Sequence, residues 1–217
     1  EFDGVMWQST IYVNGKEVGG CHFGYKSFEV DITDAVCFGE KNLIAVHAAV
    51  YENCSRWYSG AGLYRDVFLW TGGDIRIEPR DIFIKTPTPY SVMADITITA
   101  DRSAEVTLVC SIIDKCGNTV QSREKIITPE SKKTELTFDF KVENARLWDT
   151  EKPYLYTLKT EIFENGEVVD LDCRKFGIRT ISADSKNGFL LNGKPLNLKG
   201  GCIHHDHGVL GAAEYPS

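Results

Sequence analysis

The sequence predicts a mainly β protein built from sandwich domains. Three observations support this fold class: runs of alternating or β-branched residues are short, turn-forming dipeptides separate them, and helical periodicity is nearly absent. Hydrophobic residues make up 42% and charged residues 25% of the 217 residues, close to the values of ordinary soluble domains. Such a chain is long enough for one large domain or two ordinary domains with real cores.

A first domain is predicted over residues 1–73. Asn14-Gly15 is a strong signal for a two-residue hairpin turn, here between a strand at 9–13 and a return strand that starts at 16–18. Further strands of this domain are predicted at 28–32, 43–50 and 63–70. The loop-forming run Thr71-Gly72-Gly73-Asp74 marks the domain boundary.

A second domain is predicted over residues 74–183. Its seven strands are predicted at 74–86, 91–100, 105–114, 119–127, 134–142, 154–164 and 167–176. Their number and spacing are typical of an immunoglobulin-like β-sandwich, and Cys116-Gly117-Asn118 and Glu164-Asn165-Gly166 supply hairpin turns. From residue 184 the pattern changes to a tight hairpin at 189–196, followed by a strand at 196–203 that begins a third unit.

The composition argues against several classes of partner. The net charge is −7 and the pI about 5.3, so neither nucleic acid nor an anionic membrane surface is an expected partner. The longest apolar run, at 43–50, is far shorter than the roughly 20 residues of a membrane-spanning helix. Seven cysteines with no CxxC pair indicate reduced thiols and predict a cytoplasmic protein.

Each of the three predicted units carries a distinctive motif. The first unit contains SRWYSGAGLYRDV at 55–67. The second contains ARLWD at 145–149, PYLYTL at 153–158 and FGIR at 176–179. The third contains LKGGCIHHD at 198–206. In this order the motifs resemble glycoside hydrolase family 2, and in particular its β-galactosidases. The resemblance implies a partial jelly-roll sugar-binding domain (1–73), the immunoglobulin-like domain (74–183) and the beginning of a (β/α)8 TIM barrel (184–217).

Five residues are candidates for substrate binding. His204, His205 and Asp206 follow the predicted first barrel strand, at the end where TIM barrels place their chemistry, and such side chains hydrogen-bond sugar hydroxyls. The resemblance implies that His204 lies in the glycone pocket; the alternative is that these residues only cap the strand and bind neighbouring loops. A zinc site is not favoured, because zinc ligands must converge from fixed spacings.

Arg56 and Trp57 are the other two candidates. A tryptophan face stacks on pyranose C–H groups and a guanidinium binds hydroxyls or carboxylates. The alternative interpretation gives these residues, with Tyr58 and Arg65, a structural role at a domain contact. The neighbouring Gly60-Ala61-Gly62 run, which indicates close backbone approach, is consistent with that role.

The resemblance implies a retaining exo-glycosidase that hydrolyses terminal β-D-galactosides in carbohydrate metabolism. Such enzymes need two carboxyl groups about 5 to 5.5 Å apart, which in this family are glutamates on later barrel strands. We therefore predict no catalytic residue in this chain, and no hydrolysis by it alone. A β-glucuronidase-type relative and a non-catalytic carbohydrate-binding module of two sandwiches are the alternatives. No cofactor is expected here, magnesium or sodium is left open for the whole enzyme, and so is a homo-oligomer.

Overall fold

The computed structural model describes residues 1–51, 60–130, 132–202 and 210–213. The chain divides into two compact units, one formed by Glu1–Trp70 with Gly200–Ser217 and the other by Thr71–Lys199. Antiparallel strands build both units. The prediction of a mainly β chain with sandwich sheets is confirmed.

Two small sheets lie in the described part of the first unit. Its strands are β1 (Val5–Met6), β2 (Gln8–Val13), β3 (Lys16–Cys21), β4 (Ile44–Ala49) and β5 (Gly62–Leu63). The sheet order is β3-β2-β4 in one sheet and β1-β5 in the other. Asn14 and Gly15 have φ values of 51° and 83°, so the predicted hairpin turn uses the left-handed backbone that an Asn-Gly pair tolerates. The unit's core is small and centres on Phe2, Val5, Ile11 and Phe28.

The predicted strand at 28–32 is wrong. Phe28 makes only an isolated bridge to Phe2, and the chain then enters a 3-10 turn at Thr33–Ala35. The Asp31 carboxylate accepts a hydrogen bond from the Thr33 backbone N–H at 2.9 Å. This local bond offers the backbone an alternative to a strand ladder, as short acidic side chains commonly do.

Three sheets are observed among the described residues of the second unit. Its longer strands are β6 (Ile75–Thr88), β7 (Ser91–Ala100), β8 (Val106–Ile113), β9 (Thr119–Ile127), β10 (Lys133–Lys141), β11 (Tyr156–Glu164) and β12 (Glu167–Phe176). They form the sheets β10-β7-β6 and β12-β11-β8-β9. A third sheet has the order β13-β14-β15, with strands β13 (Ile181–Asp184), β14 (Gly188–Leu191) and β15 (Lys194–Pro195).

One continuous core holds the two larger sheets together. Leu158 lies opposite Ile112 and Ile162 opposite Leu108 in the β11–β8 ladder, and all four side chains are fully buried. Buried side chains of the facing sheet, among them Phe138, belong to the same cluster. The period-two alternation of these strands therefore places their apolar side chains between the sheets.

The hairpin after residue 180 belongs to the second compact unit, which extends to Lys199. Residues 196–202, predicted to begin the first barrel strand, do not form a strand in the described part of the chain. A parallel strand needs a neighbouring strand to pair its backbone groups. Among the described residues no strand is paired along this segment, although the Leu196 backbone N–H donates to the Phe189 carbonyl at 2.9 Å. The domain ranges, and the jelly-roll, immunoglobulin-like and barrel assignments, stay predictions.

Candidate functional site

All five predicted site residues lie outside the described residues. Arg56 and Trp57 fall within 52–59, and His204, His205 and Asp206 fall within 203–209. Their roles therefore stay predictions. The candidate site is therefore described from the residues next to these segments, and from the surface of the first unit that those residues lead to.

Gly60 and Leu210, the residues that directly follow these two segments, lie side by side. Gly60 is buried, with a φ of 82°, and a Cβ atom placed on it would lie 3.2 Å from the carbonyl oxygen of Leu210. The left-handed backbone and the close approach both favour glycine at this position. The sequence-based interpretation of the Gly60-Ala61-Gly62 run as a close backbone approach is confirmed at Gly60.

The next part of the same motif runs alongside the start of the chain. Met6 of β1 pairs with Gly62 of β5, and the backbone N–H of Tyr64 donates to the carbonyl of Gly4 at 3.3 Å. A Cβ atom on Gly4 would lie 2.6 Å from the Tyr64 ring, so this ring packs directly on the glycine backbone. From Gly62 onward the motif therefore has a structural role, since it forms an edge of the first unit that is paired with the start of the chain.

Tyr64 connects this edge to the loop between β3 and Phe28. Its hydroxyl donates a hydrogen bond to the carbonyl oxygen of Gly24 at 2.8 Å. Burial of the hydroxyl raises the pKa of Tyr64 above the usual tyrosine range, and the nearby guanidinium of Arg65 partly opposes this effect. The Arg65 guanidinium lies 5.3 Å from the centre of the Tyr64 ring, which is cation–π geometry.

Three aromatic rings form a cluster on this loop and the adjacent strand end. The ring centroids of Trp7 and Phe23 are 6.3 Å apart, those of Trp7 and Tyr25 6.4 Å, and those of Phe23 and Tyr25 5.8 Å. All three pairs meet edge to face, the arrangement that aromatic quadrupoles favour. Phe23 is 52% and Tyr25 40% exposed, while Trp7 is half-buried. None of these three rings was among the sequence-based site candidates.

The family-like motifs of the second unit have a packing role. The Trp148 backbone N–H donates to the carbonyl of Ile178 at 2.9 Å, and a Cβ atom on Gly177 would lie 2.6 Å from Trp148 Cβ. The Arg179 guanidinium lies 5.0 Å from the Trp148 ring centre. The side-chain amide of Asn192 donates to the Trp148 carbonyl at 3.0 Å, which connects the β14 hairpin to the sandwich.

A groove of about 690 Å³ in the second unit is lined in part by Glu105, Glu124 and Glu164. Glu164 is held by the Arg102 guanidinium through two hydrogen bonds, of 2.7 and 2.6 Å. These bonds lower the pKa of the Glu164 carboxyl, so it stays ionised and is unsuited to donate a proton. Glu164 therefore fixes the β11–β12 turn to the loop that carries Arg102.

Within the described ranges, no three His, Cys, Asp or Glu side chains converge in a way that would hold a metal ion. Helices long and apolar enough to span a bilayer are likewise absent from these ranges.

A family model described as "Glycosyl hydrolases family 2" matches residues 75–179. A β-galactosidase from Bacteroides ovatus is 36% identical over 98% of this chain and 26% of its own length. A solved family 2 structure from Bacteroides cellulosilyticus is 38% identical, with a TM-score of 0.92, and the match covers 97% of this chain and 30% of that one. The chain belongs to glycoside hydrolase family 2.

The family 2 relatives carry two activity names. A protein from Formosa agariphila named putative β-glucuronidase is 33% identical over 98% of this chain and 20% of its own length. The structure of a Bacteroides uniformis β-glucuronidase superposes with a TM-score of 0.86 at 26% identity, over 99% of this chain and 28% of that one. The chain thus spans about a quarter of the length of such relatives. The matched family segment contains the Trp148 motif and none of the five predicted site residues.

Proposed function

We propose that this chain is the ancillary, sugar-recognising part of a retaining exo-glycosidase that hydrolyses terminal β-D-galactosides. The similarity to family 2 enzymes along 98% of the chain carries the proposal. Galactoside is placed first because the Bacteroides ovatus relative, named a β-galactosidase, is 36% identical, against 33% for the Formosa agariphila relative named a putative β-glucuronidase. A glucuronide is the second candidate substrate.

In the proposed reaction the barrel of the whole enzyme supplies two carboxyl groups, one as nucleophile and one as acid/base. The residues of this chain bind and orient the sugar. His204 is proposed to hydrogen-bond a glycone hydroxyl, and Arg56 and Trp57 to contact the saccharide or to hold the domain contact beside it. The described neighbours of these segments, Gly60 and Leu210, adjoin each other, which is consistent with one shared site.

The chain alone is proposed to be inactive. Incubation with 4-nitrophenyl β-D-galactopyranoside should release no nitrophenol above the buffer rate, whereas the longer enzyme that contains this chain should release it. The same pair of assays with 4-nitrophenyl β-D-glucuronide ranks the two substrates. Turnover by the chain alone would contradict its ancillary role, and a preference of the longer enzyme for glucuronide would move the substrate to the second candidate.

The proposed compartment is the cytoplasm. Cys21, Cys37, Cys110, Cys116, Cys173 and Cys202 are free thiols. Unpaired thiols are usual where the cell keeps them reduced. Fractionation of cells that express the gene at its natural level tests this proposal, and recovery of the protein outside the cytoplasm would contradict it.

A further inference from the structure

The exposed aromatic cluster of the first unit has no role in the function proposed above. Phe23 and Tyr25 expose about half of their surface, although the core of this unit is small and would gain from burying them. A contiguous exposed aromatic surface generally marks an interaction site.

The loop that carries these rings is fixed at several points. Gly24 is buried between the two rings, its carbonyl accepts the Tyr64 hydroxyl at 2.8 Å, and a Cβ atom on it would lie 2.6 Å from the Met6 sulfur. At the end of the loop, Phe28 exchanges two backbone hydrogen bonds with Phe2, of 2.9 and 3.0 Å. The rings are therefore held before any ligand arrives, which lowers the entropy cost of binding.

We propose that Trp7, Phe23 and Tyr25 form a platform for a pyranose ring of a neutral saccharide, in which the sugar stacks on the exposed Phe23 ring and the other two rings, which meet it edge to face, hold that ring in place. Aromatic faces carry negative charge density that attracts the weakly positive C–H groups on one side of a pyranose. Polar groups flank the rings, since His22 precedes Phe23 and Lys26 follows Tyr25, and both are exposed. Such groups hydrogen-bond the hydroxyls at the edge of a stacked sugar.

A saccharide fits this surface better than a nucleic acid, which also stacks on aromatic rings. Single-stranded nucleic acid needs a positively charged groove along its phosphates, and this chain carries a net charge of −7. The choice of a sugar also rests on the proposed function. Trp7 directly follows β1, which pairs with Gly62, and the platform loop is bonded to Tyr64 through Gly24. The platform is therefore proposed as an additional subsite of the sugar-recognising unit.

Titration of the ¹⁵N-labelled chain with lactose and with methyl β-D-galactopyranoside tests this subsite. We expect saturable shifts of the amide signals of residues 22–26 and of the Trp7 indole. Phe23→Ala should weaken the affinity by about five-fold or more, as expected for loss of one aromatic contact. Phe23→Leu, which keeps an apolar side chain without a ring, should weaken it nearly as much. Phe38→Ala, at an 82% exposed position in another loop of the unit, is the matched control and should leave the affinity unchanged.

Three results would overturn the platform. The first is an absence of shifts at these amides with either sugar, and the second is unchanged affinity in Phe23→Ala when its fold is intact by circular dichroism. The third is stronger binding of a single-stranded oligonucleotide than of lactose. None of these results alters hydrolysis by the longer enzyme, so failure of the platform is distinguishable from failure of the proposed function.

Discussion

Tyr64→Phe removes one hydroxyl and tests whether the bond from this residue fixes the aromatic loop. The carbonyl of the buried Gly24 accepts that hydroxyl at 2.8 Å. A neutral hydrogen bond contributes about 1 kcal/mol, and a carbonyl left without its donor adds to the loss. We therefore expect the free energy of unfolding of the first unit to fall by about 1 to 2 kcal/mol.

The assay is urea unfolding, monitored by the exchange of the amide protons in the β2–β4 ladder. This readout reports the stability of the first unit alone. Tyr51→Phe is the control, because Tyr51 belongs to the same unit and is 58% exposed, so its loss of a hydroxyl should change stability by less than about 0.5 kcal/mol. Equal effects of the two substitutions would refute the reasoning, since the Gly24 bond would then add nothing.

The same substitution has a pH signature with a definite sign. Burial raises the pKa of folded Tyr64 above its ordinary value of 10.0, so folding favours the protonated phenol. The resulting stabilisation is complete below pH 10.0 and is lost as the pH rises through the folded pKa. The stability difference between the natural chain and Tyr64→Phe should thus be constant below that pH and shrink above it, and a difference that grows would contradict the burial.

Three further outcomes follow from burial and from the resemblance. Phe138→Ala should lower the free energy of unfolding of the second unit by about 3 to 5 kcal/mol, measured by urea unfolding, because it removes a ring that is 2% exposed and leaves a cavity. A loss below about 1 kcal/mol would mean that the cavity collapses or that Phe138 is not a core residue. Burial raises the pKa of Cys110 to about 11, so iodoacetamide at pH 8 should label exposed Cys116 and spare Cys110 in peptide mass spectra, and labelling of both would contradict the packing. In the longer enzyme, His204→Ala should lower kcat/KM by about 10- to 100-fold, whereas the control His47→Ala should leave it unchanged. Equal effects of the two substitutions would contradict the placement of His204 in the glycone pocket.

The sequence predicted correctly those strands in which the local residue pattern and the packing of the folded chain favour the same structure. The strand predicted at 119–127 is observed as Thr119–Ile127, and the one at 167–176 as Glu167–Phe176, because each run lies between a turn and a change of pattern. The strand at 28–32 failed because the Asp31 carboxylate bonds the Thr33 backbone, a local interaction that an apolar-run rule does not weigh.

The aromatic platform could not be predicted in the same way. Phe23 and Tyr25 are separated by one residue, a spacing that in a strand indicates one buried face. What exposes them is tertiary: Met6 and Tyr64, distant in sequence, hold Gly24 so that the rings flank it. The sequence itself offers only the pattern Phe23-Gly24-Tyr25 shortly after β3. This pattern is a weak indication of an exposed cluster unless the contacts of Gly24 with Met6 and Tyr64 are known.

Stacking on an aromatic platform does not discriminate between a galactoside and a glucuronide, because both sugars present an apolar ring face. The difference between them is a neutral hydroxymethyl group against a carboxylate, which a guanidinium would recognise by paired hydrogen bonds. Arg65, in the described part of the family-like motif, lies over the Tyr64 ring, and Arg179 lies over Trp148. Relatives with both names align along 98% of this chain, so we expect substrate choice to depend on the few residues that face the glycone. Exchanging such residues in the longer enzyme, and not the platform rings, should therefore alter the ratio of galactosidase to glucuronidase activity.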